Sequence, residues 1–453
     1  MFSYIFYLSS ALAILITLLH MLHSRRSPTS MIVWLLLMII FPYIFVIFYY
    51  FFGVRKHSSK NKKNSLNLKK PQQTPSSHPI DRLSFAHNIA PATNNNKLAL
   101  YTNSQDAYFA FIKALSGAKK SIDLAAYVVK IDDVTEVIFA LLLQKAKNGV
   151  KVRLIVDAFG SYKLYLWQKP LKELRDAGVI IDFFAPIFSL KNITKLNLRY
   201  HRKIFIIDNE TLFSGGMNLS SEYMGETYEQ DRWLDLMFEA KGDVVKSYVD
   251  VFNSDIAYMH NQKTILLDPV QSRAGQHSLQ ALPSGPDVKG DALLEVVLDS
   301  IYTAKRRIWI ITPYFIPDEF ILQAMKIASH KGVDVKIITP RKSNHAIADF
   351  ARTGYIRNLY EFGIDVVLFE GKMIHAKAML FDDETLILGS SNLDYRSLLL
   401  NYEIVTISYA PEHIEQMQTW MESLIDTKHT KLADAGRMRR IFENSARIFA
   451  SQL

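Results

Sequence analysis

Two stretches with the same pattern decide the fold of this chain: HRKIFIIDNETLFSGGMNLSS at residues 201–221 and HAKAMLFDDETLILGSSNLDY at residues 375–395. Each begins with His-x-Lys, continues as an apolar run that ends on Asp, and follows with a second apolar run that ends in small residues and Asn. Side chains two residues apart in a strand point to the same face. The pattern therefore predicts strands that present one imidazole and one ammonium together, once in each half of the chain.

The repeat extends beyond these stretches. KNGVKVRLIVD at residues 147–157 matches HKGVDVKIITP at residues 330–340, and each follows a helical pattern. Alternating strand and helix patterns are typical of a largely parallel, buried sheet. We therefore predict an α/β fold of two pseudo-symmetric halves, residues 82–265 and 266–453. The boundary falls within residues 262–285, where QKTILLDPVQSRAG and the turn-forming residues 283–286 separate the two patterns.

Composition is consistent with two domains, since 453 residues can bury two cores of ordinary size. The chain has no cysteine, which excludes a disulfide framework, a thiolate nucleophile and a Cys-ligated metal. Its net charge of +9 suits an anionic partner, either nucleic acid or a membrane surface rich in acidic lipid.

The N-terminus favours the membrane. Residues 2–22 and 31–52 are apolar stretches without Asp, Glu, Lys or Arg, and each is long enough to cross a bilayer. We predict a transmembrane helical hairpin over residues 1–53, with a cleaved signal peptide as the alternative for the first stretch. A basic, disordered tether is predicted over residues 54–81, and the excess of Lys and Arg there places both chain termini in the cytoplasm.

The paired motifs suit displacement at a phosphodiester. One neutral imidazole would attack phosphorus to form a phosphohistidine, and the other would protonate the leaving alkoxide and later activate the incoming alcohol. Lys and Asn side chains would hold the nonbridging oxygens. An acidic residue found 28 positions after each histidine would accept its Nδ1 hydrogen bond. The predicted site comprises the motif residues His201, Lys203, Asp208, His375, Lys377 and Asp382, with Asn218, Glu229, Asn392 and Glu403 as phosphate-binding or supporting residues.

Within this set, Asp208 and Asp382 close their strands, so we assign them to structural support of the following turn. No acidic cluster or His grouping with metal-ligand spacing accompanies the motifs. We expect neither a metal nor another cofactor.

The chain resembles the phospholipase D superfamily in these duplicated motifs, and within it the bacterial cardiolipin synthases. ITPYFIPDEFILQAMKIASHKGVDVKIITPRKSNH at residues 311–345 and SSNLDYRSLLLNYEI at residues 390–404 are the most specific segments. The resemblance implies two phospholipase D-like α/β/α sandwich domains around one site, in a bacterial inner membrane protein with cytoplasmic catalytic domains. It also implies transfer of a phosphatidyl group between two phosphatidylglycerol molecules, with His201 as nucleophile and His375 as acid and base. QDRWLDLMFEA at residues 230–240 matches the family less well, which leaves the second substrate open.

Other activities of the same motifs stay open. The donor or acceptor could be phosphatidylethanolamine, or water could replace the acceptor lipid. A membrane-tethered nuclease is less favoured, because much of the basic charge lies in the tether where lipid headgroups account for it, and we expect no nucleic acid partner. A basic segment from Gly436 to the C-terminus is either a membrane-surface helix or a helix packed on the second half.

Overall fold

The computed structural model describes residues 2–24, 28–53, 66–68, 74–75, 78–187, 197–263, 274–425 and 429–446. The N-terminal part and the first half contain α1 Phe2–His23, α2 Pro28–Ile40, α3 Pro42–Phe52, α4 Pro79–Ala86, β1 Thr93–Tyr101, α5 Ser104–Gly117, β2 Ser121–Ala126, α6 Asp133–Lys147, β3 Lys151–Asp157, α7 Tyr162–Leu166, α8 Lys172–Asp176, β4 Ile180–Phe184, β5 Ile204–Ile207, β6 Thr211–Gly215, β7 Met237–Lys241 and α9 Val244–Met259. The second half contains β8 His277–Ser284, α10 Ala292–Thr303, β9 Arg307–Ile311, β10 Phe315–Ile316, α11 Glu319–His330, β11 Asp334–Pro340, α12 Ala346–Glu361, β12 Asp365–Phe369, β13 Ala378–Phe381, β14 Thr385–Gly389, β15 Leu393–Asp394, α13 Tyr395–Leu399, β16 Glu403–Ser408, α14 Pro411–Ile425, β17 His429–Thr430 and α15 Arg437–Ala446.

The central strands β2 and β5 of the first half are buried on both faces. Along β2, Ile122 and Leu124 belong to a core shared with α5 and α6, whereas Ala125 points to the opposite core, which contains Phe252 of α9. Strand β5 divides its side chains between the two cores in the same alternating way. This alternation explains why the strands read as continuous apolar runs, and it gives the half a sheet between two helical layers.

A single 15-stranded sheet joins the two halves. The first half contributes the order β1-β7-β6-β5-β2-β3-β4, and the second contributes the equivalent order β8-β16-β14-β13-β9-β11-β12, with β17 beyond it. Strands β1 and β8 pair antiparallel at the junction, where Thr93 lies opposite Leu279. The prediction of two pseudo-symmetric halves is confirmed.

The sheet is mixed, which corrects the prediction of a largely parallel one. Within it, β2, β3 and β4 run parallel, as do β9, β11 and β12. The remaining pairs, including β5 with β6 and β13 with β14, are antiparallel. The reason is local: the motif strands turn back directly on their neighbours, whereas parallel pairing needs a helical crossover.

The predicted second transmembrane helix is wrong as a single element, because the chain reverses at Phe41 and Pro42. Trp34 of α2 stacks edge to face on Tyr49 of α3, with ring centroids 5.4 Å apart, so α2 and α3 are antiparallel. A proline lacks the N–H that would continue the helix and disfavours helical geometry at the residue before it. By length and composition, α1 is the one helix in the described part of the chain that could cross a bilayer.

Part of the predicted tether is ordered. Leu66 and Leu68 are each 4% exposed, and their backbone N–H groups donate to the carbonyls of Asp287 at 2.7 Å and Asn88 at 2.9 Å. Helix α4 begins at Pro79. Disorder is therefore the wrong prediction for these positions, whose apolar side chains belong to a core cluster with members from both halves. Most of residues 54–77 lies outside the described residues.

The C-terminal helix α15 packs on the second half. Glu443 is fully buried and accepts from Arg357 Nε of α12 at 2.7 Å, with Arg439 Nε 2.9 Å away on the other side. The apolar side chains Met438 and Phe442 remain exposed. Packing on the second half is thus the interpretation that the contacts support, and the residues from 447 onward lie outside the described part.

Candidate active site

Backbone pairing between the halves sets the positions of both histidines. His201 N–H donates to the Tyr402 carbonyl at 2.9 Å, and His375 N–H donates to the Leu234 carbonyl at 2.7 Å. Each histidine precedes its motif strand, β5 or β13, and lies on a segment that pairs with the other half. The site is therefore built at the junction of the halves, and both contribute to each side of it.

Each histidine is held by a carboxylate of the opposite half. His201 Nδ1 lies 2.9 Å from Oε1 of Glu403, and His375 Nδ1 lies 2.7 Å from Oδ2 of Asp235. All four side chains are buried. An Nδ1–H that donates to a carboxylate leaves the lone pair on Nε2, which is the tautomer that a nucleophile or a general base needs.

Two corrections follow for the predicted acidic residues. Glu403 pairs with His201 and not with the histidine 28 positions before it in its own half. Glu229 pairs with neither histidine, because its side chain is 48% exposed and accepts from Arg232 Nη2 at 2.5 Å. Its place is taken by Asp235, six positions further along, since the segment between Asn218 and this acid is longer than its counterpart in the second half.

The sequence held a usable signal for Asp235. Asp235 precedes β7 as Glu403 begins β16, and β7 and β16 occupy equivalent positions in the two halves. Matching the acid at the start of each apolar run, with a gap allowed before it, would have selected Asp235 over Glu229.

The small residues after β6 and β14 fit these two acids. A Cβ on Gly216 would lie 2.0 Å from Oδ1 of Asp235, so only glycine leaves room for the carboxylate. The equivalent Ser390 donates its hydroxyl to Oε2 of Glu403 at 2.5 Å. The first motif therefore has Gly-Gly beside the carboxylate of Asp235, and the second has Gly-Ser, whose hydroxyl bonds to Glu403.

Both motif lysines are buried against the histidines. Lys203 Nζ donates to the His201 carbonyl at 3.0 Å, and Lys377 Nζ lies 2.7 Å from Nδ1 and 3.0 Å from Nε2 of His375. Burial lowers the pKa of Lys203 to about 8 and that of Lys377 to about 7. Near neutral pH both groups can still supply positive charge to a bound phosphate.

The histidines are electrostatically part of one site. Burial, opposed by Glu403, lowers the pKa of His201, and Lys203 and Lys377 lower it further. Burial followed by Lys377 lowers the pKa of His375 to about 3, and Lys203 of the other half acts in the same direction. Without a bound anion both imidazoles are therefore neutral at pH 7, and their protonation is coupled.

The two motif asparagines are fixed by different contacts. Asn218 Oδ1 accepts from the Val128 N–H at 3.1 Å, whereas Asn392 Nδ2 donates to Asp394 Oδ2 at 2.9 Å. Asn392 Oδ1 is buried and has no hydrogen-bond partner among the described residues. A donor on a bound ligand would satisfy this oxygen.

Asp208 and Asp382 lie away from the imidazoles and organise turns. Asp208 accepts from the backbone N–H groups of Lys120 and Ser121 at 2.6 and 2.9 Å, and Asp382 accepts in the same way from Arg306 and Arg307 at 2.8 and 3.0 Å. Both adopt left-handed backbone, with φ of 56° and 50°. These contacts hold the backbone at the start of β2 and β9, whereas the sequence analysis assigned both residues to the turn after their own strand, so that assignment stays a prediction.

Aromatic side chains that the sequence did not single out line both histidines. The ring centroid of Tyr127 is 5.0 Å from that of His201, and Tyr223 and Trp233 lie 5.1 and 5.3 Å from that of His375. Such walls exclude water and strengthen the electrostatic interactions inside the site. In the described part of the chain, no group of three or more His, Asp or Glu side chains could hold a metal ion.

Comparisons with known proteins identify the family and the fold of the chain. A family model described as cardiolipin synthase, PLD-like domain matches residues 111–256 and 297–425. The cardiolipin synthase of Geobacillus kaustophilus (strain HTA426) is 30% identical over 98% of this chain and 93% of its own length, and cardiolipin synthase 2 of Bacillus anthracis is 34% identical over 82% of this chain and 73% of its own length. The crystal structure of the phosphatidylserine synthase of Haemophilus influenzae Rd KW20 superposes with a TM-score of 0.63 at 16% identity, covering 83% of this chain and all of that one.

The duplicated fold and the paired His-x-Lys half-sites define an enzyme of the phospholipase D superfamily that transfers phosphatidyl groups. Within that class, the chain belongs to the cardiolipin synthase family.

Proposed function

We propose that this chain forms cardiolipin by moving a phosphatidyl group from one phosphatidylglycerol molecule to another, with release of glycerol. The observation that carries the proposal is the pair of buried imidazoles, each with Nδ1 bonded to a carboxylate of the opposite half and with buried lysines beside it. Relatives at 30% identity over nearly the whole chain carry the name cardiolipin synthase.

In the first step, the Nε2 lone pair of His201 attacks phosphorus and the bond from phosphorus to the glycerol oxygen breaks. His375, protonated once the anionic lipid is bound, gives its proton to that oxygen, and glycerol leaves. In the second step, neutral His375 takes the proton from a glycerol hydroxyl of the second phosphatidylglycerol. The freed oxygen attacks phosphorus, and the phosphorus–nitrogen bond to His201 breaks.

Lys203 and Lys377 would stabilise the charge that develops on the nonbridging oxygens, because their ammonium groups are fixed before the reaction and need no rearrangement. Asn218 would donate its NH₂ group to the same oxygens, whereas the buried Oδ1 of Asn392 is an acceptor and would take a hydroxyl donor of the ligand. Glu403 and Asp235 would hold each imidazole in one tautomer and stabilise the imidazolium when it forms. The aromatic walls favour transfer over hydrolysis, since water must be kept from the phosphohistidine.

The test uses the purified full chain and phosphatidylglycerol labelled in its terminal glycerol. We expect cardiolipin and labelled glycerol in equal amounts. Phosphatidic acid as the main product would contradict the synthase proposal. His201→Ala and His375→Ala should each abolish the product, and full activity of either variant would contradict the two-histidine mechanism.

We also propose that the catalytic halves lie in the cytoplasm and that α1 alone crosses the membrane. At 22 residues α1 spans about 33 Å, whereas α2 and α3, with 13 and 11 residues, reach about 20 and 16 Å and would form a re-entrant hairpin. Tyr43 lies 2.5 Å from Ser9 and Tyr49 lies 2.8 Å from His20, so α3 runs parallel to α1.

With this path, the C-terminal ends of α1 and α3 would lie on one side of the membrane, and the sequence that follows each end is rich in Arg and Lys, as the positive-inside rule favours for the cytoplasmic side. The N-terminus would lie on the opposite side, in contrast to the prediction that both termini are cytoplasmic. Labelling of a cysteine introduced at Ser3 by an impermeant reagent in intact cells tests this orientation. Labelling only after lysis would contradict it.

A further inference from the structure

Four large apolar side chains are exposed in the segment that follows β3. Phe159, Tyr162, Leu166 and Trp167 are 60%, 51%, 61% and 73% exposed. Exposed lysines accompany them in the same segment, at Lys163, Lys169 and Lys172. Exposed apolar groups this close together in the sequence are unusual on a protein surface and indicate a contact surface.

The second half repeats the feature at the equivalent connection. Between β11 and α12 the chain exposes the basic residue Lys342, and the first turns of α12 expose Ile347 and Phe350, at 71% and 42%. Strands β3 and β11 occupy equivalent places in the two halves, so the exposed apolar side chains that follow them occupy equivalent positions as well. We call the two segments, residues 159–172 and 342–350, the apolar rim.

The apolar rim and the active site lie on the same side of the sheet, at the carboxyl ends of the parallel strands. It follows the carboxyl ends of β3 and β11, and Tyr127, which packs on His201, follows the carboxyl end of the neighbouring parallel strand β2. Asp157, the last residue of β3, accepts from the Tyr200 N–H at 2.9 Å.

The first segment of the rim also contacts the wall of the site. Ser161 Oγ donates to the Tyr127 carbonyl at 3.0 Å. The backbone that carries Phe159 and Tyr162 is thus joined directly to residues that contact or adjoin His201.

We infer that the apolar rim docks on the surface of an anionic bilayer and aims the active site at the lipid headgroups. Trp and Tyr favour the membrane interface because their rings are apolar and their polar atoms can stay hydrated. Lysines beside them are attracted to anionic headgroups. A site that opens at this surface could receive both lipid substrates without their acyl chains leaving the bilayer. The inference depends on the proposed function only for the identity of those lipids.

Site-specific fluorescence tests the docking without any measurement of activity. The chain has no native cysteine, so Trp167→Cys, Ile347→Cys and the control Lys120→Cys can each be labelled at one position with a polarity-sensitive dye. Lys120 is exposed and precedes the first residue of β2, whereas the site lies beyond the last residue of that strand. The full chain is reconstituted in vesicles of phosphatidylglycerol and phosphatidylcholine that carry a fraction of spin-labelled lipid.

We expect quenching by the spin-labelled lipid at positions 167 and 347 and little at position 120. Absence of quenching at either rim position, or equal quenching at position 120, would overturn the inference. If docking is found in a chain that makes no cardiolipin, the proposed function fails while this inference stands.

A charge introduced in the rim gives a second test. Leu166→Asp combined with Trp167→Asp should lower the rate on vesicle lipids by roughly tenfold or more, because two apolar groups would no longer enter the interface. The rate on short-chain lipids dispersed as monomers should stay within about twofold. Tyr302→Asp, at an exposed position that precedes β9, is the matched control. An equal loss on both lipid forms would show a folding defect and contradict docking.

Discussion

Replacing Asp235 by Asn tests the central feature of the site, the carboxylate that the first half offers to His375. The two groups are 2.7 Å apart and both are buried, so solvent cannot replace the lost bond. A hydrogen bond to a charged group contributes about 1.5–3 kcal/mol, which corresponds to a loss of roughly 10- to 150-fold if it is needed in the transition state. An Asn that presents its NH₂ to the imidazole would also reverse the tautomer, which in serine proteases lowers kcat by about 10⁴. We expect kcat to fall between about 10² and 10⁴-fold with little change in KM.

The matched control is Glu229→Gln, because Glu229 is the residue that the ungapped alignment of the two halves selects. Its exposed carboxylate contacts Arg232 and neither histidine. We expect less than a twofold change in rate, as for most surface substitutions. The assay is the initial rate of glycerol release, accompanied by thermal unfolding to exclude loss of fold. Strong inactivation by Glu229→Gln together with near-normal activity of Asp235→Asn would refute the structural assignment.

Three further predictions concern neighbouring groups. Because the pKa of Lys377 is lowered to about 7, its ammonium is lost as the pH rises through neutrality, so activity should fall on the alkaline side. Lys377→Arg stays protonated, so in a pH–rate profile that limb should move upward by about one pH unit, to where Lys203, with a pKa of about 8, loses its proton. Gly216→Ser should displace the Asp235 carboxylate and lower kcat at least tenfold, and unchanged kinetics would contradict the close approach. Burial opposes ionisation of Asp382, but hydrogen bonds from three backbone N–H groups outweigh burial and lower its pKa. The stabilising effect of its carboxylate is therefore present above about pH 4 and is lost at lower pH. Asp382→Ala should lower the free energy of unfolding at pH 7 by about 1–3 kcal/mol and flatten the acid dependence of Tm.

The motif strands and the duplication were predictable because they depend on local pattern. His201 and Lys203 are two residues apart in a strand-like segment, and this spacing alone places them on one face. The contacts of Asp208 did not follow, because its carboxylate accepts from backbone N–H groups at the start of β2, which is distant in the sequence. The partner of His375 did not follow, because loop length changes the register between the halves and the pairing crosses from one half to the other. The ungapped match at Glu229 was a coincidence of sequence, and only an alignment with a gap before the acid would have selected Asp235.

The second membrane segment shows a different limit. Hydropathy counts apolar residues and is insensitive to a change of direction, so residues 31–52 satisfied the length criterion for a span. Pro42 was visible in that stretch, yet proline is tolerated inside many membrane helices. The contact between Trp34 and Tyr49 decides the matter, and it is a tertiary contact.

Each histidine is held by a carboxylate of the opposite half, and this arrangement explains how the two fused halves can become unequal. Arg202 is fully buried between His201 and Lys203, where the second motif has Ala376, and its guanidinium forms ion pairs with Asp255 at 2.6 Å and, in the second half, Asp287 at 2.8 Å. Its Nε also donates to the carbonyl of Glu403 at 3.1 Å, so the carboxylate that holds His201 is itself positioned by the first half.

Nothing equivalent can act at position 376, because alanine has no polar side-chain atom. Removing one member of such a buried ion network costs about 3–5 kcal/mol, so the network fixes the relative position of the halves at one histidine more firmly than at the other. An assembly of two identical halves would have to give both histidines the same surroundings. The single chain can give one imidazole a longer acid with a serine and a buried arginine, and the other a shorter acid with a glycine. In the proposed mechanism, these unequal surroundings would let His201 act as nucleophile and His375 as acid and base.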